Sequence, residues 1–223
     1  IYRFEPNNLS LSFAVADTQF HVAHVYQSKG LFMESTEHID QAYTVLRDIN
    51  KDALVDKQVK GVFVHNLTSV ATNYVRLASR KAEAKQVAKE CVFEAKKLAE
   101  QFPSDVNVRW ELMKAYEILG EQRLWWGEQN EECLEAYQSC LALLDEFKEE
   151  GLKKTAVLRA SWAPLTNICT LLGRLGRHSE VGTFRMRLIS GQEELGALFP
   201  NDRINQETLG RRLNELSGDY IES

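Results

Sequence analysis

The chain has 223 residues, 44% of them apolar and 26% charged, a composition that excludes disorder and leaves room for one large core or one solenoid. Its net charge of -5 argues against a general nucleic-acid binder, which needs a concentrated basic surface. Only 4 Pro and 12 Gly interrupt it, so long helices are expected rather than many short strands. No apolar run approaches the roughly 18 residues of a bilayer span, and neither a membrane segment nor a secretory leader is expected. The sequence opens on Ile1 rather than Met, so we expect a piece of a longer protein, with a catalytic or sensor domain beside it.

Apolar periodicity predicts helices in pairs. The first pair covers 9–28 and 31–49, the second 56–79 and 82–102, the third 105–126 and 128–150. In the fourth, the leading helix ends near 175 and the returning helix covers 179–198. The corresponding units are 9–50, 56–102, 105–150 and 154–198, within a single domain over 1–223. A last helix, 201–216, places Leu209, Leu213 and Leu216 at i, i+4, i+7 and reads as a terminal cap over 201–217. Pro164 conflicts with this layout. We expect it to kink the fourth leading helix; the alternative is a shorter helix capped by Ser161 with Pro164 in its first turn.

The pairs repeat. LAEQFPSD ends at Asp105 and LGALFPND at Asp202, 97 residues apart, and each stops one helix with Phe-Pro before a polar residue opens the next. Half of that distance is close to 49. A gapless shift of 49 aligns Ser35, Ala84, Cys133 and Gly182, then Ile39, Ala88, Tyr137 and Met186, then Ala42, Cys91, Cys140 and Ile189. Lys29, Ala78, Gly127 and Gly176 align where each leading helix should turn. Small residues at such a spacing allow two helices to cross closely.

Leu119-Gly120, Gly127, Cys133, Tyr137 and Cys140 resemble the tetratricopeptide signature: Leu-Gly in the first helix, Gly at the turn, then small, aromatic, small along the second. The period is about 49 rather than 34, and one extra residue follows the turn glycine. The pattern is most similar to the elongated repeats beside kinase, protease or ATPase modules in large bacterial signalling proteins. The resemblance implies an all-α fold, a right-handed α-α superhelix of about four hairpins with a C-terminal capping helix. It also implies that the leading helices line a concave groove. Carried onto this chain, the groove would hold Gln19, Tyr26 and Gln27; His65, Thr68, Thr72 and Arg76; Lys114, Glu117, Glu121 and Trp125; and Thr166, Thr170 and Arg174. These do not match the Lys/Asn clamp that some members use on C-terminal carboxylates. Trp125 and Trp126 point about 100° apart on a helix, so one can pack inside while the other anchors a partner; alternatively both are core.

No residue pattern points to catalysis. Phosphate-loop, GxSxG and paired-carboxylate motifs are all missing, and we expect no enzyme, no cofactor and no metal site. Cys91, Cys133, Cys140 and Cys169 fall on small-residue positions and read as core thiols, which implies a reducing cytoplasm. His21 and His24 share a helix face without a third ligand, and His21 aligns with Val70, Leu119 and Ile168, a core position. The Asn66-Leu67-Thr68 sequon reads as coincidence within a helix.

Charge is uneven. Residues 121–151 hold nine acidic and two basic groups, and 153–187 seven basic and one acidic. This reads as attraction between neighbouring repeats, or as a basic patch at Arg174, Arg177, Arg185 and Arg187 for an acidic segment or a phosphate. The leading functional expectation is a cytoplasmic scaffold that binds a protein or peptide segment and regulates an attached catalytic domain. The alternative is a small-ligand or peptide sensor lined by His65, Thr68, Thr72, Thr166 and Thr170.

Overall fold

The computed structural model describes residues 8–75, 80–126, 130–152, 154–201 and 207, with backbone only at 122, 123, 125, 126 and 130. The fold is all-α: α1 Leu9–Ser28, α2 Phe32–Arg47, a 3-10 turn Lys51–Ala53, α3 Lys57–Val75, α4 Lys81–Gln101, α5 Val106–Trp126, α6 Asn130–Glu149, α7 Lys154–Ala160, α8 Trp162–Arg174 and α9 His178–Leu198. The expected cap over 201–217 lies outside the described residues apart from 201 and 207. Two compact units divide the chain, α1 to α5 in the first and α6 to α9 in the second.

Polar side chains start several helices. Asn8 accepts from the Leu11 N–H, Asp56 from Val59, and Asp105 from Asn107 and Val108. Each satisfies an N–H that has no partner inside the first turn. Glycines end others. Gly30 (φ 74°), Gly151 (φ 67°) and Gly176 (φ 72°) take the left-handed conformation. The next N–H of each then reaches back five residues, Leu31 to Tyr26, Leu152 to Phe147 and Arg177 to Leu172, at 2.8–2.9 Å. The turn therefore falls on Gly30 and not on Lys29, one residue later than the gapless shift places it; Ala78 and Gly127 lie outside the described residues.

In the first unit α3 is central. It packs on α1, α2, α4 and α5, and buries Phe63, Val64, Leu67, Val70, Ala71 and Tyr74. Each such aliphatic or aromatic side chain contributes about 1.5–3 kcal/mol. In the second unit α6 packs on α7 and α8, and α9 packs on α7 and α8. Tyr137, Leu144, Phe147, Ile168, Leu171 and Leu172 are fully buried there.

Burial recurs along the returning helices. Ser35, Ala84 and Cys133 are each 0% exposed, as are Ile39, Ala88 and Tyr137, and Ala42, Cys91 and Cys140. The same columns continue through Leu46, Ala95 and Leu144, then Ile49, Leu98 and Phe147. In α9 the expectation slips by one. Gly182 and Met186 face solvent, while Ile189 is buried as its column expects, together with Val181, Leu188, Gln192 and Leu195. Val181 lies five residues after its turn glycine, as Ser35 does after Gly30, whereas Cys133 lies six after Gly127. A shift without gaps cannot absorb that difference.

His21 is a second correction. Its side chain is 77% exposed, beside Asp17, while Val70 and Ile168 are fully buried. Because the turn falls on Gly30, the first leading helix is offset from the second by 48 residues, and Ala23 takes the buried column with Ala71 and Gly120. Pro164 is the third. The chain breaks at Ser161 into α7 and α8 rather than kinking one helix, and Pro164 is buried in the first turn of α8, where an N–H has no partner to lose. Ser161 is the N-cap residue of α8, but its hydroxyl bonds back to the Leu158 carbonyl at 2.9 Å rather than to an N–H of the first turn.

Candidate functional site

The facing sides of α3 and α5 in the first unit carry a group of charged residues. Lys114 Nζ lies 2.7 Å from Glu111 Oε1, one helical turn away on α5, and His65 Nδ1 on α3 lies 3.6 Å from the same oxygen. The other oxygen, Oε2, is buried and has no hydrogen-bond partner among the described residues. Burial works to raise the Glu111 carboxyl, but His65 and Lys114 outweigh it and hold it below the ordinary value. Glu117 follows six residues after Glu111 on α5. Burial, and then the charge of Glu121, push its carboxyl up to about 7 against the opposing pull of Lys114. No hydrogen bond compensates Glu117 among the described residues.

The sequence-predicted groove residues fall into several environments. His65 and Lys114 come together around Glu111. Gln27 donates to Asn73 on α3 at 2.9 Å, which joins the leading helices α1 and α3. Gln19 and Tyr26 instead face α2: Gln19 Oε1 lies 2.6 Å from His38 Nδ1, and the Tyr26 ring stacks on His38 at 5.3 Å. Thr68 is buried, with its hydroxyl donating to the Val64 carbonyl at 2.9 Å and lying 3.1 Å from Cys91 Sγ. It faces α4 and belongs to the core, not to a solvated groove. Thr72 is half-buried and donates to the Thr68 carbonyl. Glu121 is half-buried. Arg76 and the Trp125 side chain lie outside the described residues, as does that of Trp126.

Thr166, Thr170 and Arg174 belong to the second unit, on α8. Thr166 Oγ1 is buried without a hydrogen-bond partner among the described residues; Thr170 and Arg174 are exposed. The expected basic patch is partly occupied by acids of its own unit. Arg177 pairs with Glu180 and with Glu131 at 3.3 Å, and Arg187 pairs with Asp145 at 2.6 Å. Lys148 adds a pair with Glu194. Two of the seven basic residues, Arg177 and Arg187, thus meet acids of α6, in surface pairs that each contribute little.

Sequence reasoning missed Glu111 and Asn73. A signal for both exists. Gln27–Asn73, His65–Glu111, Glu131–Arg177 and Lys148–Glu194 are all 46 residues apart, the 49-residue period less about one helical turn. Adding 46 to His65 leads to Glu111.

Cys91, Cys133 and Cys140 are buried and Cys169 is half-buried; none of the four forms a disulfide. Burial pushes Cys91 up to about 12 despite the Thr68 hydroxyl. Asn66 is buried in α3, where its amide bonds to the Val62 carbonyl. Among the described residues no cluster of three His, Cys, Asp or Glu is placed to hold a metal, and no helix is long and apolar enough to cross a membrane. A scan against protein-family models finds no match, and a search of curated proteins finds no relative.

Proposed function

We propose that this chain is a tetratricopeptide-like interaction module that binds a protein or peptide segment on the α3/α5 face and thereby regulates a catalytic domain joined to it. The carrying observation is the Glu111 and Glu117 pair of carboxyls. One has a buried oxygen without a hydrogen bond among the described residues, and the other is pushed up to about 7 because burial and Glu121 outweigh the pull of Lys114. A partner that brings a Lys or Arg side chain to this face adds a cation beside Glu117.

Three further features support the repeat reading: the buried small-residue columns, the left-handed glycines at the turns, and the order of packing. Each leading helix of the first unit packs on the next leading helix, α1 on α3 and α3 on α5, and each returning helix on the following leading helix, α2 on α3 and α4 on α5. In the second unit α6 packs on α8 in the same way. A closely packed array of this kind leaves one face of its leading helices free for a ligand segment.

The test is selection from a displayed random-peptide library against the full chain, followed by titration of the selected peptides. Binders enriched in Lys or Arg, weakened about tenfold or more by Glu111→Gln with Glu117→Gln, support the site. Binders that are indifferent to these substitutions and to Lys114→Ala refute it.

A further inference from the structure

A cavity of 480 Å³ opens on the first unit, away from the groups just described, between the 3-10 turn, the first half of α3 and the end of α4. That volume lies in the range of small-molecule sites. Its inner wall is apolar: Leu54, Phe63, Val64 and Leu98 line it, each at most 7% exposed. Its rim is cationic. Lys51 is neutralised by Glu90 and Glu94, at 2.9 Å each. Lys60 and Lys97 have no carboxylate partner among the described residues. Lys60 donates to the neutral Gln101 side chain at 2.8 Å, and the Lys97 ammonium stands 4.2 Å over the exposed Phe93 ring. Gln101 is one turn beyond Lys97 on α4, and Lys60 and Lys97 both line the cavity. Asp52 is the remaining acid of the lining and is exposed.

We propose that this cavity binds a carboxylate-headed apolar small molecule, its tail on Leu54, Phe63, Val64 and Leu98 and its head between Lys60 and Lys97. The apolar part of the lining, Leu54, Val55, Phe63, Val64 and Leu98, suits an apolar tail, and its polar part suits a polar head. The rim calls for an anion, because two ammonium groups there lack a countercharge. An extended peptide is the poorer fit, since the walls are largely helical and leave no sheet edge to pair with a main chain.

The experiment titrates decanoate and decanol into the full chain by calorimetry, with melting temperature as a second readout. Decanoate is expected to bind at one site and to raise the melting temperature. Decanol is expected to bind at least fivefold more weakly. The Lys60→Gln/Lys97→Gln double variant, checked for unchanged helicity, is expected to lose tenfold or more in decanoate affinity, while Lys29→Gln/Lys89→Gln leaves it unchanged. The proposal is overturned by equal binding of decanol and decanoate, by a Lys60/Lys97 double variant within twofold of the parent, by an equal loss in the control variant, or by no heat at millimolar decanoate.

Discussion

Tyr74 on α3 donates a 2.7 Å hydrogen bond to Asp40 Oδ1 on α2, and the Arg80 guanidinium, at the start of α4, pairs with the other oxygen of the same carboxylate. One carboxylate thus ties three consecutive helices, and Tyr74, 1% exposed, is pushed far above the ordinary tyrosine value by burial and by its bond to Asp40.

Removing either end of that bond therefore destabilises the first unit. Tyr74→Phe is expected to cost about 1.5–3 kcal/mol, the net worth of a bond to a charged acceptor. Asp40→Ala is expected to cost about 2–3 kcal/mol, because it leaves the buried phenol without its acceptor. Urea unfolding curves measure both, and a double-mutant cycle should return less than the sum. Additive losses would mean that the two residues act separately.

Glu117 makes stability fall as pH rises. Its folded-state value of about 7 lies above the ordinary 4.5, so the folded chain holds this proton more tightly than the unfolded chain. Below about pH 4.5 both states are protonated and the residue costs nothing. Between 4.5 and 7 the penalty grows, and above 7 it is complete, on the order of 1–3 kcal/mol. Glu117→Gln should therefore stabilise the chain at pH 8 by that amount and leave it unchanged at pH 4. Chemical denaturation at the two pH values reads this, and equal effects at both would contradict the assignment.

The thiols should separate by accessibility. Cys91, Cys133 and Cys140 are 0% exposed, and Cys91 is far too weak an acid to form thiolate at neutral pH. Ellman's reagent on the native chain should modify Cys169 first, and the other three only at the rate of unfolding. Rapid reaction of all four would show that the small-residue columns are open to solvent.

The helices were largely legible from apolar spacing, and α1 spans the residues that spacing predicts. The columns through α2, α4 and α6 were legible too, because the residues between Ser35, Ala84 and Cys133 number the same in both intervals. What escaped was slack in the turns, which moved the first buried residue of α9 from Gly182 to Val181, although Ile189 stays buried, and moved the buried column of α1 away from His21. The candidate site was less legible. Thr68 is polar yet buried, because the carbonyl one turn behind it accepts its proton and frees its methyl to pack. Glu111 was overlooked because neighbouring helices meet one turn short of the period, which a search at 49 passes over.

The left-handed glycines divide the chain into parts with different tolerance for change in length. A residue gained or lost beside Gly176 alters only the lead-in to Val181, and natural variation in such a chain can accumulate there. The same residue gained inside α9 would rotate every later side chain by about 100°, carrying Leu188 and Leu195 off the core. Length is thus negotiable at the bends and fixed along the rods.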